Sequence, residues 1–260
     1  VTGDETLIRA RIDPSTDTLY LQRVETPSAE SSYDSWSSFA SAEATPSLGL
    51  HAAGARILIA YYDADDVLVC ESTDDGATFA SAVTVATAGG VTAVACGIRA
   101  DGEAAVLWAT GGVVYRSTRP ALGSWESPAA WTHSLDTVNG LTVSDTEDWA
   151  VLVSGEDSDG APGCWSTRLG SGVGGPPGHW SPLRPVTVAS SGLDVTYRAT
   201  GAASAGAPCV ALVESYAGTG SFDHTMLATG LAGSAFEDGE WREPAPFAHE
   251  SPWGVALTSD

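Results

Sequence analysis

The sequence contains no lysine. All eleven basic residues are arginine, against 33 Asp and Glu, for a formal net charge of -22. Phosphate backbones are held by basic surfaces, so this deficit excludes an ordinary nucleic-acid partner. Two causes fit the imbalance: a surface solvated for high salt, or a GC-rich coding sequence that favours Arg over Lys. There is one methionine, Met226, and the chain opens on Val1, which reads as a mature N-terminus. No apolar run approaches the ~20 residues of a membrane-spanning helix. The four cysteines, Cys70, Cys96, Cys164 and Cys209, form no CxxC pair and have no histidine at metal-ligand spacing. Each lies in an apolar run, where a thiol behaves as a small hydrophobe, so buried free thiols are expected rather than disulfides. Redox compartment is left open by that reading.

Helical periodicity is scarce too. What recurs instead is short β-rich runs bounded by Gly, Asp, Ser and Pro, the all-β signature. Leu7 to Ile12 alternates apolar and basic side chains, as a half-exposed strand does, and Leu19 to Val24 follows a Pro/Asp turn. From Leu48 the runs come in fours. The first four are Leu48–Ala52, Arg56–Tyr62, Val67–Glu71 and Phe79–Ala86. A Ser/Ala-Thr pair near the end of each third run marks the repeat. It falls at positions 72, 117, 166 and 228, at intervals of 45, 49 and 62 residues. An aromatic follows each time: Phe79, Trp125, Trp180 and Trp241. Four strands per ~40–50 residues is the mark of a β-propeller. The longer intervals carry extra Gly and Pro, and turns tolerate insertion cheaply.

The first unit begins directly on a second-strand pattern. The last segment, Trp253 to Thr258, matches a lone first strand. The expectation is therefore one all-β domain of four-stranded antiparallel blades, most simply five. The blades are placed at 5–45 plus 252–260, 46–88, 89–134, 135–190 and 191–250. The C-terminal strand would join the N-terminal three strands and close the ring, which removes open sheet edges. A fragment of a larger ring is the alternative.

Ser72-Thr73-Asp74-Asp75-Gly76-Ala77-Thr78-Phe79 resembles the Asp-box repeat of sialidases and other BNR-type propellers. The match is close here and decays elsewhere: Ser117-Thr118-Arg119 and Ser166-Thr167-Arg168 put Arg where the Asp belongs. The resemblance implies a propeller, with the box on the third-to-fourth strand turn, away from the usual ligand face. It implies structural roles for Ser72, Asp74, Gly76 and Phe79. Ser and Asp can satisfy backbone N–H groups in a tight turn, and Gly takes a conformation other residues avoid. The catalytic set implied by sialidases is three Arg, a Tyr activated by a Glu, and an Asp acid. None of it maps onto a matching motif here. Arg9 and Arg11 lie in LIRARI with no following Pro, and no Glu is assignable to Tyr61 or Tyr62.

In this register one face carries the second-to-third strand loops, and four of those five loops are acidic. Functional groups concentrate on loops held by a rigid scaffold. Asp63, Asp65 and Asp66, with Tyr216, Phe222 and His224, are the candidate ligand-binding residues. Asp157 and Asp159 are the candidate metal ligands, with Ca2+ as the ion, since clustered carboxylate oxygens suit a hard cation. A solvated acidic rim is the competing reading. No Ser-His-Asp order and no HExxH occurs. With no assignable catalytic set, the function expected is non-enzymatic recognition or assembly, extracellular or on a particle such as a phage tail. The partner expected is carbohydrate or a protein surface, by fold-level analogy. A sialidase-like or furanosidase-like glycoside hydrolase, and a purely structural appendage domain, remain open.

Overall fold

A computed structural model describes residues 6–25, 36–43, 48–145, 149–170, 178–188, 195–203, 210–217, 221–229 and 245–247, with side chains described up to residue 186 apart from 144 and 145. Its ordered elements are all strands, nineteen among the described residues. They form one three-stranded and four four-stranded antiparallel sheets, each a simple meander. The chain packs as two compact units, residues 1–110 with 115–130, and residues 111–114 with 131–260.

The first unit begins with β1 (Leu7–Asp13), β2 (Thr18–Val24) and β3 (Ser37–Ser41). Along β1, Ile8, Ala10 and Ile12 point to one face, and Arg9 and Arg11 to the other, because strand side chains alternate. The apolar face joins a cluster that includes Leu19, Ile57, Ile59, Tyr61 and Cys70. The next sheet is β4 (Gly49–Ala53), β5 (Arg56–Asp63), β6 (Asp66–Ser72) and β7 (Val83–Thr87). β5 is buried along both faces from Ile57 to Tyr62, which explains its unbroken apolar run. Its other face meets β8 (Val91–Ile98) and β9 (Ala104–Thr110) in a second cluster built on Leu58, Ala60, Val94, Val106 and Trp108. Gly49 permits this approach, since a Cβ there would sit 2.7 Å from the Cys96 nitrogen. β10 (Val113–Arg119) and β11 (Ala129–Trp131) complete the third sheet.

The second unit contains β12 (Leu135–Asp145), β13 (Trp149–Asp157), β14 (Pro162–Leu169) and β15 (Arg184–Val188). β13 is buried from Trp149 through Val153. A further meander follows, β16 (Val195–Ala203), β17 (Val210–Ala217), β18 (Ser221–Thr229) and β19 (Ala245–Phe247).

The expected fourth strands are shorter than the sequence suggested. Phe79, Trp125 and Trp180 precede β7, β11 and β15 rather than opening them. One backbone bond follows each aromatic: Ala80 N–H to Glu71 O, Glu126 N–H to Thr118 O, and Ser181 N–H to Arg168 O. The ladder then breaks, and in two cases the next residues are Ser-Pro, at Pro128 and Pro182. Proline has no N–H to donate to a ladder. The C-terminal strand expected at Trp253–Thr258 and the aromatic Trp241 lie outside the described residues.

Candidate functional site

Sheet two presents different chemistry at its two ends. At one end β5 turns into β6 through Ala64 and Asp65, both at positive φ (49° and 67°), closed by the pair Asp63 and Asp66. Two left-handed residues make the turn whose twist suits a two-residue hairpin. The three carboxylates here are tied into the fold separately. Asp63 Oδ1 accepts from Ser41 Oγ at 3.1 Å, Asp65 Oδ1 from Tyr62 OH at 2.9 Å, and Asp66 Oδ1 from Thr87 Oγ1 at 2.7 Å. The Tyr62 phenol is pushed up from its ordinary value by burial and by the Asp65 carboxylate.

Asp157 and Asp159 occupy the equivalent turn of β13 and β14. Asp157 Oδ1 accepts from the backbone N–H groups of Asp159 at 3.0 Å and Ala161 at 2.9 Å. Its carboxylate thereby closes the turn. Among the described residues no group of three or more His, Cys, Asp or Glu is gathered as a metal site. Tyr216, Phe222 and His224 lie on strands rather than in the long loop their spacing suggested: β17 runs to Ala217 and β18 starts at Ser221. Tyr216 is in register with Phe222, and His224 with Ser215.

The opposite end of sheet two carries the Asp-box stretch. Ser72 Oγ accepts from the N–H of Gly76 at 2.9 Å and donates to Asp74 Oδ1 at 2.8 Å. Asp74 also accepts from the Thr78 N–H at 2.9 Å and the Thr78 hydroxyl at 2.6 Å. These bonds favour the charged form, led by the Thr78 hydroxyl, and push the Asp74 carboxyl down to about 2. Gly76 has φ of +74°, a conformation that favours glycine, and a Cβ there would press on the Ile8 Cδ1 tip at 2.7 Å. Phe79 packs edge-on to Phe39 at 5.2 Å. Ser72, Asp74, Gly76 and Phe79 therefore hold one turn together and pin it to the first sheet.

Beside this turn is an open groove of about 420 Å³ lined by Arg56, Glu71, Thr73, Thr78, Phe79 and Ala80. Glu71 is the only carboxylate in that lining. Its Oε1 accepts from Arg56 Nη1 at 2.6 Å and its Oε2 from Arg119 Nη1 at 2.6 Å. Both arginines are anchored from behind. Arg56 Nε donates to Ala100 O at 3.2 Å, and Arg119 Nη2 donates to Gly102 O at 2.9 Å. The Arg119 guanidinium also lies over the Trp125 ring, 5.2 Å from its centroid. Arg119 stands where the closer box has Asp74, so this departure from the motif places a cation against the neighbouring sheet's glutamate. Charge-assisted, anchored pairs of this kind hold geometry better than isolated surface pairs.

The sequence offered one signal for this groove. The residue before the hydroxyl pair changes character from unit to unit: Glu71, Arg116, Trp165. The partners Arg56 and Arg119 are 15 and 48 residues from Glu71, and only the folded sheets bring them together.

No protein-family profile and no curated protein matches the chain. Solved structures do. A mutant of AofleA from Arthrobotrys oligospora matches with TM-score 0.59 at 13% identity, covering 96% of this chain and 71% of that one. SapL1 lectin in complex with alpha methyl fucoside matches at 0.55 and 13%, covering 98% and 85%. An alpha-L-arabinofuranosidase from Lactobacillus brevis matches at 0.54 and 11%, covering 95% and 93%. At such identities the likeness speaks to fold alone. With the four-stranded meanders it supports a β-propeller-type fold. That fold carries both a lectin and a hydrolase among these neighbours, so fold does not choose between binding and turnover.

Proposed function

We propose that this chain is a carbohydrate-recognition propeller module that binds without turnover, with the Arg56–Glu71–Phe79 groove as its site. The observation that carries the reading is the composition of that groove. An anchored guanidinium and a carboxylate sit side by side, with two threonine hydroxyls and an aromatic edge. Arg56 uses one Nη1 hydrogen and its Nε hydrogen in the bonds described, which leaves further N–H donors. Each Glu71 oxygen accepts one arginine and retains a second lone pair. Donor and acceptor side by side suit the paired hydroxyls of a sugar, and Phe79 supplies an apolar surface for its C–H face. The lectin among the structural neighbours, solved with a fucoside, adds support at the level of fold.

Non-enzymatic binding is favoured over hydrolysis by the carboxylate count. Glycosidases of the common type use two carboxyl groups flanking the scissile bond. The described groove holds one, and it is bridged to two arginines. The acidic turns with Asp63, Asp65 and Asp66, and the pair Asp157 and Asp159 with Ca2+, are kept as a secondary reading. In it these rims add ion-assisted contacts on the opposite end of the sheets.

The proposal extends to closure and context. We read Trp253–Thr258 as the missing first strand of the blade formed by β1, β2 and β3, giving five blades, and place the module outside a cell or on a particle. The three strands described for the first sheet, against four in each of the others, support the blade reading.

The test is a glycan array on the whole chain, run with calcium and with chelator, followed by calorimetry on any hit. Saturable binding that falls at least about tenfold in Arg56→Ala is the expected result, that being the effect of losing a charge-assisted bond pair. Loss of binding under chelator would bring the acidic turns into the site. An array with no hit would sink the reading.

A further inference from the structure

The first sheet carries a second cationic site on the face that does not join the apolar core. Arg9 pairs with Gln22 across β1 and β2, and Arg11 pairs with Tyr20. These four side chains therefore form one two-by-two patch on a single face. Trp36 lies over it, with the Arg9 guanidinium 5.2 Å and the Arg11 guanidinium 4.6 Å from its ring centroid. Arg11 is also 5.5 Å from the Tyr20 ring centroid.

Two features mark this patch as more than packing. The first is Arg11. The chain holds three carboxylates for each arginine. In the same unit Arg23, Arg56, Arg99, Arg116 and Arg119 each lie within 4.0 Å of one. Arg11 has no such partner among the described residues. The acid nearest in sequence, Asp13, is occupied by the backbone N–H and hydroxyl of Ser15, at 2.9 and 2.6 Å. Arg11 is exposed and lies over aromatic rings, and its charge makes only the smallest of the contributions that lower the Asp13 carboxyl.

The second feature is Gln22, only 2% exposed. Arg9 Nη1 donates to its Oε1 at 3.2 Å, which fixes the amide's orientation. Its Nε2 is left buried with no acceptor among the described residues. A buried donor without a partner costs free energy until an acceptor arrives. The Arg11 guanidinium lies over the indole face, and a guanidinium presents its N–H donors in a planar fork, the geometry a carboxylate matches. The patch thus combines a preset cationic fork, a second guanidinium and an unmet amide donor.

We infer that this face is a binding site for the carboxylate of an acidic saccharide, distinct from the Arg56–Glu71 groove. The saccharide part of this inference rests on the carbohydrate reading above; the carboxylate part rests on Arg11 and Gln22.

The experiment is calorimetry on the whole chain with trigalacturonate and with its methyl ester, which removes the charge and keeps the sugar. Wild-type protein is expected to bind the acid at least about tenfold more tightly than the ester. Arg11→Gln should bring the acid down to the ester's affinity, and Arg11→Lys should recover only part of the difference, since an ammonium cannot make the planar two-point contact. Arg11 is exposed, so both variants should melt with the wild type. Equal affinity for acid and ester in wild type and Arg11→Gln overturns this site and leaves the carbohydrate reading standing. Failure of both ligands to bind overturns the site and counts against the carbohydrate reading as well.

Discussion

Asp74 shows how a single side chain organises a turn. It accepts from Thr78 twice and from Ser72 once, and its carboxyl is held near 2 by those bonds. The folded value is below the unfolded one. The stabilisation is therefore complete above about pH 4 and is lost as pH falls toward 2. Carboxyl NMR titration should place Asp74 near that value. Thr78→Val should raise it, because it removes the largest contribution, and an unchanged titration would contradict the assignment. The cysteines give a second check at this scale. Cys70, Cys96 and Cys164 are buried and free, and burial pushes Cys96 up to about 12 and Cys164 upward as well. The thiolate is the reactive form, so none of the three should be labelled by an alkylating reagent in the native protein at pH 8. Peptide mapping before and after denaturation would decide it. Cys209, the fourth, lies outside the described residues.

At the scale of strands and sheets, the bridge from Arg119 to Glu71 joins the third sheet to the second. Both side chains are mostly shielded, at 17% and 16% exposure. Arg119→Ala should destabilise the chain by about 1.5–3 kcal/mol, the range for a hydrogen bond to a charged group, read as a shift in the urea midpoint. In the second unit, β13 is the fully buried strand. Leu152→Ala there should cost about 2–5 kcal/mol, since it leaves a cavity in a packed interior. A loss well under about 1 kcal/mol would mean that the space collapses. Strand existence was legible at this scale, because alternation and turn residues are local signals. Strand starts were less so. Phe79, Trp125 and Trp180 read as strand openers, yet they lie ahead of the fourth strands as packing anchors, Trp180 making only an isolated bridge to Leu169 and stacking on Trp131 at 4.1 Å. Aromatic content alone does not separate a strand residue from an anchor before a strand.

For the whole molecule, charge is the dominant property. A net charge of -22 works against the compact state through self-repulsion. The melting temperature should rise as sodium chloride increases from about 0.01 to 0.3 M, across which the screening length falls from about 30 Å to well under 10 Å. A flat response would argue that the carboxylates are locally compensated. Closure is tested by truncation. Removing residues 252–260 should lower stability and promote association, because β1 would be left with an unpaired edge. Light scattering on the shortened chain would show this, and an unchanged monomer would argue against five-blade closure.

By itself the sequence determined the all-β class, the four-strand repeat and the box turn, since these rest on alternation, turn chemistry and bonds within a few residues. It also determined the burial of Cys70, Cys96 and Cys164, through the apolar runs that surround them. Only the tertiary structure decided where cations meet anions. Arg56, Glu71 and Arg119 converge from three strands. Arg11, by contrast, lies over aromatic rings with no carboxylate within 4.0 Å among the described residues. The physical reason is range: a turn is closed by neighbours in sequence, whereas a site is assembled from strands that register and packing bring together.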